Sequence, residues 1–342
     1  MSILTSDPKF VGAASGTWQH QMKSAIRDLE TLKQHLGLPA ETPMGAQAEA
    51  DFPIFVPLPF VERMEPGNPA DPLLLQVLPT PAEDSSPPGF SLDPLAESDA
   101  QRTPGLLQKY EARALMVVNG TCAVHCRYCF RRHFPYSQTP RSLAQWSTAL
   151  DLLAADTSIE EVILSGGDPL TLVDGLLGQL IHAIGQISHV QRLRIHTRLP
   201  IMIPQRVTLA LTQMLQQFGQ PQDRQVVIVI HANHANELDE TVAEGLSKLR
   251  QAGCLMLNQS VLLKGVNDRL ESLVDLSRRL LQVGTMPYYL HQLDAVVGVS
   301  HYEVSRQQGE QLIEGMRAVL PGYAVPRYVK EQPGKPSKTV WS

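Results

Sequence analysis

The feature that most restricts the fold begins after Tyr110, where short β-branched or aliphatic runs alternate with amphipathic stretches of helical period. The candidate strands are Arg113–Val118, Glu161–Ser165, Arg192–Thr197, Gln225–His231, Cys254–Leu262 and Thr285–Gln292. Between them, Leu143–Ala155, Leu172–Ile187, Thr208–Phe218, Leu238–Ala252 and Leu270–Gln282 are each long enough for a crossover helix. Six such units predict an α/β fold with an all-parallel, barrel-like sheet, a partial (β/α)6 barrel; a doubly wound open sheet is the competing architecture. Either one puts a ligand site at the carboxyl ends of the strands.

Before this alternation the text is different. Trp18, Met22, Ile26, Leu29, Leu32 and Leu36 recur at helical spacing and predict an amphipathic helix from Thr17 to His35. From Pro39 to Pro104 repeated prolines exclude long regular elements and predict an extended, wrapping segment. Phe52, Ile54, Phe55, Val56, Phe60 and Val61 within it need burial, so it is not a disordered leader. The expected organisation is an N-terminal helical and proline-rich extension over 1–105, a barrel core over 106–300, and a C-terminal helix and tail over 301–342.

The 342 residues, 43% of them hydrophobic, suffice for one large α/β domain or two ordinary ones. A net charge of −5 without blocks of either sign excludes the basic footprint of a nucleic-acid binder and points to small-molecule substrates. No stretch reaches the roughly 20 apolar residues of a membrane span, and the start lacks a charged-then-apolar leader, so a cytoplasmic location is expected. Four cysteines, three of them between 122 and 129, argue for a reduced compartment and against a disulfide scaffold.

Those three form a C-x3-C-x2-C loop, Cys122, Cys126 and Cys129, directly after the first strand. Three thiolates on one tight loop can ligate three irons of a cubane and leave the fourth open to a ligand. A structural zinc site would need a fourth protein ligand, which only His125 or His133 could supply nearby. A second motif, Ser165-Gly166-Gly167-Asp168-Pro169, ends the second strand; its glycines permit close backbone approach, and its carbonyls and Asp168 can accept from an ammonium.

Together the two motifs, with an aromatic at Tyr128, resemble the signature of the radical S-adenosylmethionine superfamily. The resemblance implies a [4Fe-4S] cluster on Cys122, Cys126 and Cys129, with S-adenosylmethionine on the open iron and its amino group near Gly166, Gly167 and Asp168. Reduction would then cleave the cosubstrate to a 5′-deoxyadenosyl radical.

Further stretches, CRYCFRRHFPY, LSGGDPL, Thr197-Arg198-Leu199-Pro200, IHANHANE, NQSVLLKGVND, PYYLHQLD and PGKPSK, are similar to the lysine 2,3-aminomutases. Within that family they are most similar to the short form acting in elongation factor P β-lysylation. The resemblance implies pyridoxal 5′-phosphate carried by Lys338, with Lys335 a rival, and met by Lys109, Tyr110 and Arg113. It implies that Arg131 clamps the carboxylate of L-lysine, that Asp294 and Glu331 hold its ε-ammonium, and that His231 and Gln259 lie near the cofactors. A guanidinium at one end and carboxylates at the other complement lysine's charges. The implied partners are a reductant such as flavodoxin or ferredoxin, and a lysyl-tRNA-synthetase-like ligase that passes β-lysine to elongation factor P. An aminomutase for glutamate or arginine is the alternative. Departures from the longer relatives are His291 in place of a tyrosine, Asp268 in place of a zinc-binding cysteine, and a chain that stops soon after Lys338; no second metal is expected, and Cys254 reads as a buried thiol.

Overall fold

The computed structural model describes residues 17–221 and 223–342. Its strands are β1 (Gln101–Thr103), β2 (Leu106–Tyr110), β3 (Arg113–Asn119), β4 (Glu161–Gly166), β5 (Arg192–Thr197), β6 (Gln225–His231), β7 (Leu255–Val261), β8 (Met286–His291), β9 (Arg327–Lys330) and β10 (Thr339–Val340). They form one sheet in sequence order, with β1 and β10 at its two edges. From β3 to β9 every pairing is parallel, whereas β1–β2, β2–β3 and β9–β10 are antiparallel. The six expected strands are therefore the core of a partial barrel, and the sheet as a whole is mixed. The four extra strands escape a periodicity argument because β1, β9 and β10 are very short and β2 carries Gln108 and Lys109 in its middle.

The parallel strands show why this arrangement is stable. In β4 and β6, near-continuous aliphatic runs are buried, as required of strands covered by helices on one side and facing the barrel interior on the other. The crossover helices Leu143–Ala155, Asp174–Gly185, Leu209–Phe218, Glu240–Gln251 and Leu270–Gln282 supply the cover. β5 behaves differently: Leu193, Ile195 and Thr197 are buried, while Arg194 and His196 line an interior cavity. Charge on the inner face of a barrel strand marks a ligand site.

The single helix expected from Thr17 to His35 is two helices, Trp18–Lys23 and Leu29–Leu36. Asp28 is extended and its carboxylate accepts from the Thr31 N–H at 2.8 Å, capping the second helix. Ile26, between the helices, forms a β-bridge with Val56. One apolar cluster joins Leu32, Val56, Phe60 and Leu74 of the extension to Trp146, Leu180 and Leu246 of the crossover helices. The extension is thus a layer of the barrel's own core, and the sheet crosses the expected boundary at residue 105 without a break. Under the helix Arg306–Val319, a second cluster packs Ile313 and Met316 on Leu290 and Tyr328.

Candidate active site

A cavity of about 460 Å³ fills the barrel interior. Into it open Cys122, Cys126 and Cys129 from the loop after β3, Gly166, Gly167 and Asp168 from the end of β4, and His231 and Gln259 from β6 and β7. Lys109 and Tyr110 of β2, Arg113 of β3, Arg131, Asp294, Glu331 and Lys338 line the same space. Arg113 is the first residue of β3, so the cavity extends from the carboxyl ends of the strands down to the start of that strand. The expected site at the carboxyl ends is only the upper part of it.

The cysteine loop is held by buried ion pairs. Arg127 gives two hydrogen bonds to Glu83, at 2.9 and 2.6 Å, and a third to the Ala48 carbonyl at 2.9 Å. Arg132 pairs with the same buried Glu83 at 3.1 Å. Ring nitrogens of His125 and His133 meet the carbonyl of Pro53 at 2.7 Å and that of Val297 at 3.3 Å. Burial pushes the Cys122 thiol up, and burial followed by Cys126 pushes Cys129 up to about 12. Such thiols ionise when a cation replaces the proton. Three unpaired cysteines opening on one cavity suit an iron-sulfur cluster.

Gly166 and Gly167 are required by backbone packing. Gly166 has φ 130°, and a Cβ on it or on Gly167 would collide with the backbone of Asn119 or Thr121 in the cysteine loop. The two motifs thus interlock. Asp168 departs from the expectation that it accepts from a ligand ammonium. Its carboxylate is already filled by Thr197 Oγ1 at 2.7 Å and by the backbone N–H groups of Leu170, Arg198 and Leu199 at 3.0, 2.7 and 2.9 Å. It fixes the turn after β5.

That turn carries Arg198, whose guanidinium lies 2.7 Å from Cys126 Sγ and is held by Gln76 at 2.6 Å and Glu237 at 2.9 Å. Asn233 links Gln76, at 3.0 Å, to the Tyr128 hydroxyl, at 2.7 Å; Tyr128 reaches His231 Nε2 at 2.9 Å. Burial, and then Arg198, pushes His231 down to about 3, so it is neutral. His231 therefore belongs to a polar network beneath the cluster loop. Sequence reading found His231 and Tyr128 but missed Gln76, Arg198, Asn233 and Glu237; the stretches HTR and HANHANE, each too polar for a strand end, were the available signal.

The other half of the cavity is a chain of ions. Arg131 gives Nε and one Nη to Glu97 at 2.6 and 2.8 Å and its other Nη to Ser165 Oγ at 2.9 Å. Lys109 stands 3.4 Å from Glu97 and 2.9 Å from Glu331, and Glu331 also pairs closely with Lys338. Burial would raise Glu331, but Lys338 and Lys109 outweigh it and hold the carboxyl at about 2. Among the described residues Asp294 has a single ion partner, Lys330 at 3.5 Å, and burial pushes it up. Lys335 is exposed and outside the cavity, whereas Lys338 is inside.

Arg113 lies over the Tyr110 ring at 4.4 Å, with Tyr288, Tyr289, Arg194 and Arg327 also lining this part. Two cavity imidazoles, His196 and His291, have Nε2 atoms without a partner among the described residues; burial pushes His291 to about 3 and His196 well below its ordinary range. Unpartnered buried nitrogens, phenol rings and guanidinium groups fit an aromatic anion such as pyridoxal phosphate. His196 was missed because a lone histidine in a strand is usually packed. Cys254 is buried and apart from the site, and Asp268 accepts from the Gly265 N–H at 3.0 Å, capping its own turn.

A partial parallel barrel with three cysteines on the loop after its first core strand, interlocked with a Gly-Gly turn, defines an enzyme of the radical S-adenosylmethionine class. No protein-family model matches the chain. L-lysine 2,3-aminomutase of Escherichia coli is 46% identical over 324 residues, 94% of this chain and 93% of that protein. The Haemophilus influenzae protein of the same name is 44% identical over the full length of both, and that of Clostridium subterminale 33% identical over 94% of this chain and 77% of its own. A solved radical SAM methyltransferase from Sphaerobacter thermophilus aligns over 66% of this chain with a TM-score of 0.43 and 17% identity, a likeness too loose to build on. The chain belongs to the L-lysine 2,3-aminomutase family, and it is an isomerase. Membership of the radical class brings with it a [4Fe-4S] cluster and S-adenosylmethionine. Among the described residues, no helix is long and apolar enough to cross a membrane.

Proposed function

We propose that the protein converts L-α-lysine into β-lysine by moving the amino group from C2 to C3, using pyridoxal phosphate on Lys338 beside the radical generator. The observation that carries this reading is the seating of primary ammonium groups: Glu331 and Asp294 already hold Lys338, Lys109 and Lys330 as they would hold the distal ammonium of lysine. Arg131 stands at the other end, with Nε and one Nη on Glu97 and its other Nη on Ser165 Oγ, and the outer edge of its fork would take the substrate carboxylate. Glutamate or arginine would need a different lining at Asp294 and Glu331.

Cys122, Cys126 and Cys129 would hold the cluster, and the carbonyls around Gly166 and Gly167 the amino group of S-adenosylmethionine. Arg113, with Tyr110 and Arg327, would meet the coenzyme phosphate and ring. When bound, the coenzyme supplies an electron sink for the migrating nitrogen, and the cosubstrate supplies the carbon radical that takes a C3 hydrogen and later returns it. The chain's own work is positional. Arg131, Asp294 and Glu331 fix the substrate at both ends, so that C3 stays within reach of one face. Leu95, Val124, Leu293 and Val261 give the cavity apolar walls that exclude water and stray hydrogen donors.

The higher identity to the Escherichia coli and Haemophilus influenzae proteins than to the longer clostridial one, together with His291, supports the elongation factor P branch. On this reading a cytoplasmic flavodoxin- or ferredoxin-like donor reduces the cluster, and a ligase resembling lysyl-tRNA synthetase consumes the β-lysine. The test is anaerobic incubation of iron-, sulfide- and pyridoxal-loaded protein with dithionite, S-adenosylmethionine and L-lysine, with glutamate and arginine in parallel. β-Lysine is expected from lysine alone; its absence overturns the proposal.

A further inference from the structure

We infer that Glu97, from the segment before the barrel, is a positioning residue that aims Arg131 at the substrate carboxylate and thereby sets the selectivity for amino acids over plain diamines. The inference rests on the reading of Arg131 above. Glu97 takes Nε and one Nη of Arg131 in a two-point fork, and both side chains are almost fully buried, 5% and 7% exposed. A guanidinium gripped along that edge cannot rotate about its last bonds, and its remaining N–H groups point one way, toward Ser165 and the cavity.

Glu97 is itself held in place. It opens the 3-10 turn Glu97–Ala100, and Asp93 accepts from its N–H at 3.0 Å and from that of Ser98 at 3.2 Å. The preceding residue, Ala96, has φ 47°, a left-handed conformation that a non-glycine residue adopts only when its surroundings impose it. The second contact of Glu97, Lys109 at 3.4 Å, leads on to Glu331 at 2.9 Å. One continuous chain of ions, Arg131, Glu97, Lys109 and Glu331, therefore joins the seat of the substrate carboxylate to the seat of its distal ammonium. It also spans the open side of the barrel, from β2 to the residue after β9. The chain fixes the distance between the two seats.

Two effects of removing the Glu97 charge oppose each other. Loss of an anion beside Arg131 would strengthen its attraction for a carboxylate, whereas loss of the fork would let the guanidinium swing away. At a site this buried, geometry decides, because a misdirected fork loses both hydrogen bonds while the field changes little with angle.

The test compares two ligands that differ only in the carboxylate, L-lysine and pentane-1,5-diamine, as competitors for the loaded holoenzyme under anaerobic conditions. Wild-type protein should bind lysine at least tenfold more tightly than the diamine. Glu97→Gln should weaken lysine at least tenfold and the diamine less than twofold, with Glu97→Asp recovering part of the loss and iron and pyridoxal contents unchanged. Equal losses for both ligands, no loss for either, or tighter lysine binding would overturn the role of Glu97. If Glu97→Gln does not fold, the same ratio measured on Glu97→Asp decides between a selective and an indiscriminate loss. Failure of the wild type to prefer lysine would instead overturn the reading of Arg131.

Discussion

The two ends of the cavity are built on opposite plans. Around the cysteine loop, carboxylates are filled by the protein itself: Asp168 accepts from four donors, and Glu237 accepts from Arg198, Gln76 and the N–H groups of Asn233 and His234. At the Lys338 end, Glu331 is met by two lysine ammonium groups, Asp294 by one at the limit of contact, and the Nε2 atoms of His196 and His291 by no partner among the described residues. At the first end the carboxylates are satisfied by the protein's own donors; at the second, buried polar groups are left open to a ligand. A site that generates a radical has to fix the cluster without freedom, whereas a site that exchanges substrate needs partners that can be displaced.

The largest effect expected along this division is from Lys338→Ala. Conversion of lysine and retention of pyridoxal phosphate should both be lost, while the iron content stays at the wild-type level. Stability should fall by only about 1 kcal/mol, because Lys109 still neutralises Glu331. Pyridoxal and iron analysis with denaturant unfolding checks all three; loss of iron would mean that the two ends are not separate.

Glu237→Ala strikes the first end. It strands the buried Arg198 and should cost about 3–5 kcal/mol in unfolding of the anaerobic protein. A cost below about 1 kcal/mol would show that the network beneath the loop is as replaceable as the ions at the other end.

Acid titration offers a smaller and graded effect. Glu331 is held at about 2 against an ordinary 4.5, so its ion pairs stabilise the fold fully above pH 4.5 and are lost as pH falls toward 2. Glu331→Gln should flatten this part of the acid unfolding curve of the coenzyme-free protein, and an unchanged curve would contradict the pairing.

His291→Phe should have the smallest effect on stability, because it removes a nitrogen that has no protein partner. The absorbance spectrum of bound pyridoxal phosphate should shift, with unfolding unchanged within about 0.5 kcal/mol. An unaltered spectrum would place His291 away from the coenzyme.

Much of this was legible locally. The spacing of Cys122, Cys126 and Cys129, the Gly166-Gly167 pair and the aliphatic runs of β3, β4 and β6 each declare themselves within about ten residues, the range over which periodicity and turn chemistry act. Charged groups were read less well. Asp168 has the right residue type for a ligand contact, yet its place at the start of a 3-10 turn makes it a cap. Glu97 sits in a proline-rich stretch with no pattern to single it out, and His196 alternates with arginines on a strand otherwise unremarkable.

By itself the sequence determined the class of chemistry, since a loop of three thiols after a strand can be recognised without knowing what surrounds it. It determined the barrel core for the same reason: strand and helix periods are local. Only the tertiary structure decided which charges face one another. Lys109 and Glu331 are 222 residues apart, Arg131 and Glu97 34, and no local period links either pair. Ion pairs of this kind are fixed by how the sheet closes, through the packing of elements distant in sequence, so that the placing of Lys338 inside the cavity and Lys335 outside it, and the pairing of Arg131 with Glu97, emerge only in the folded molecule.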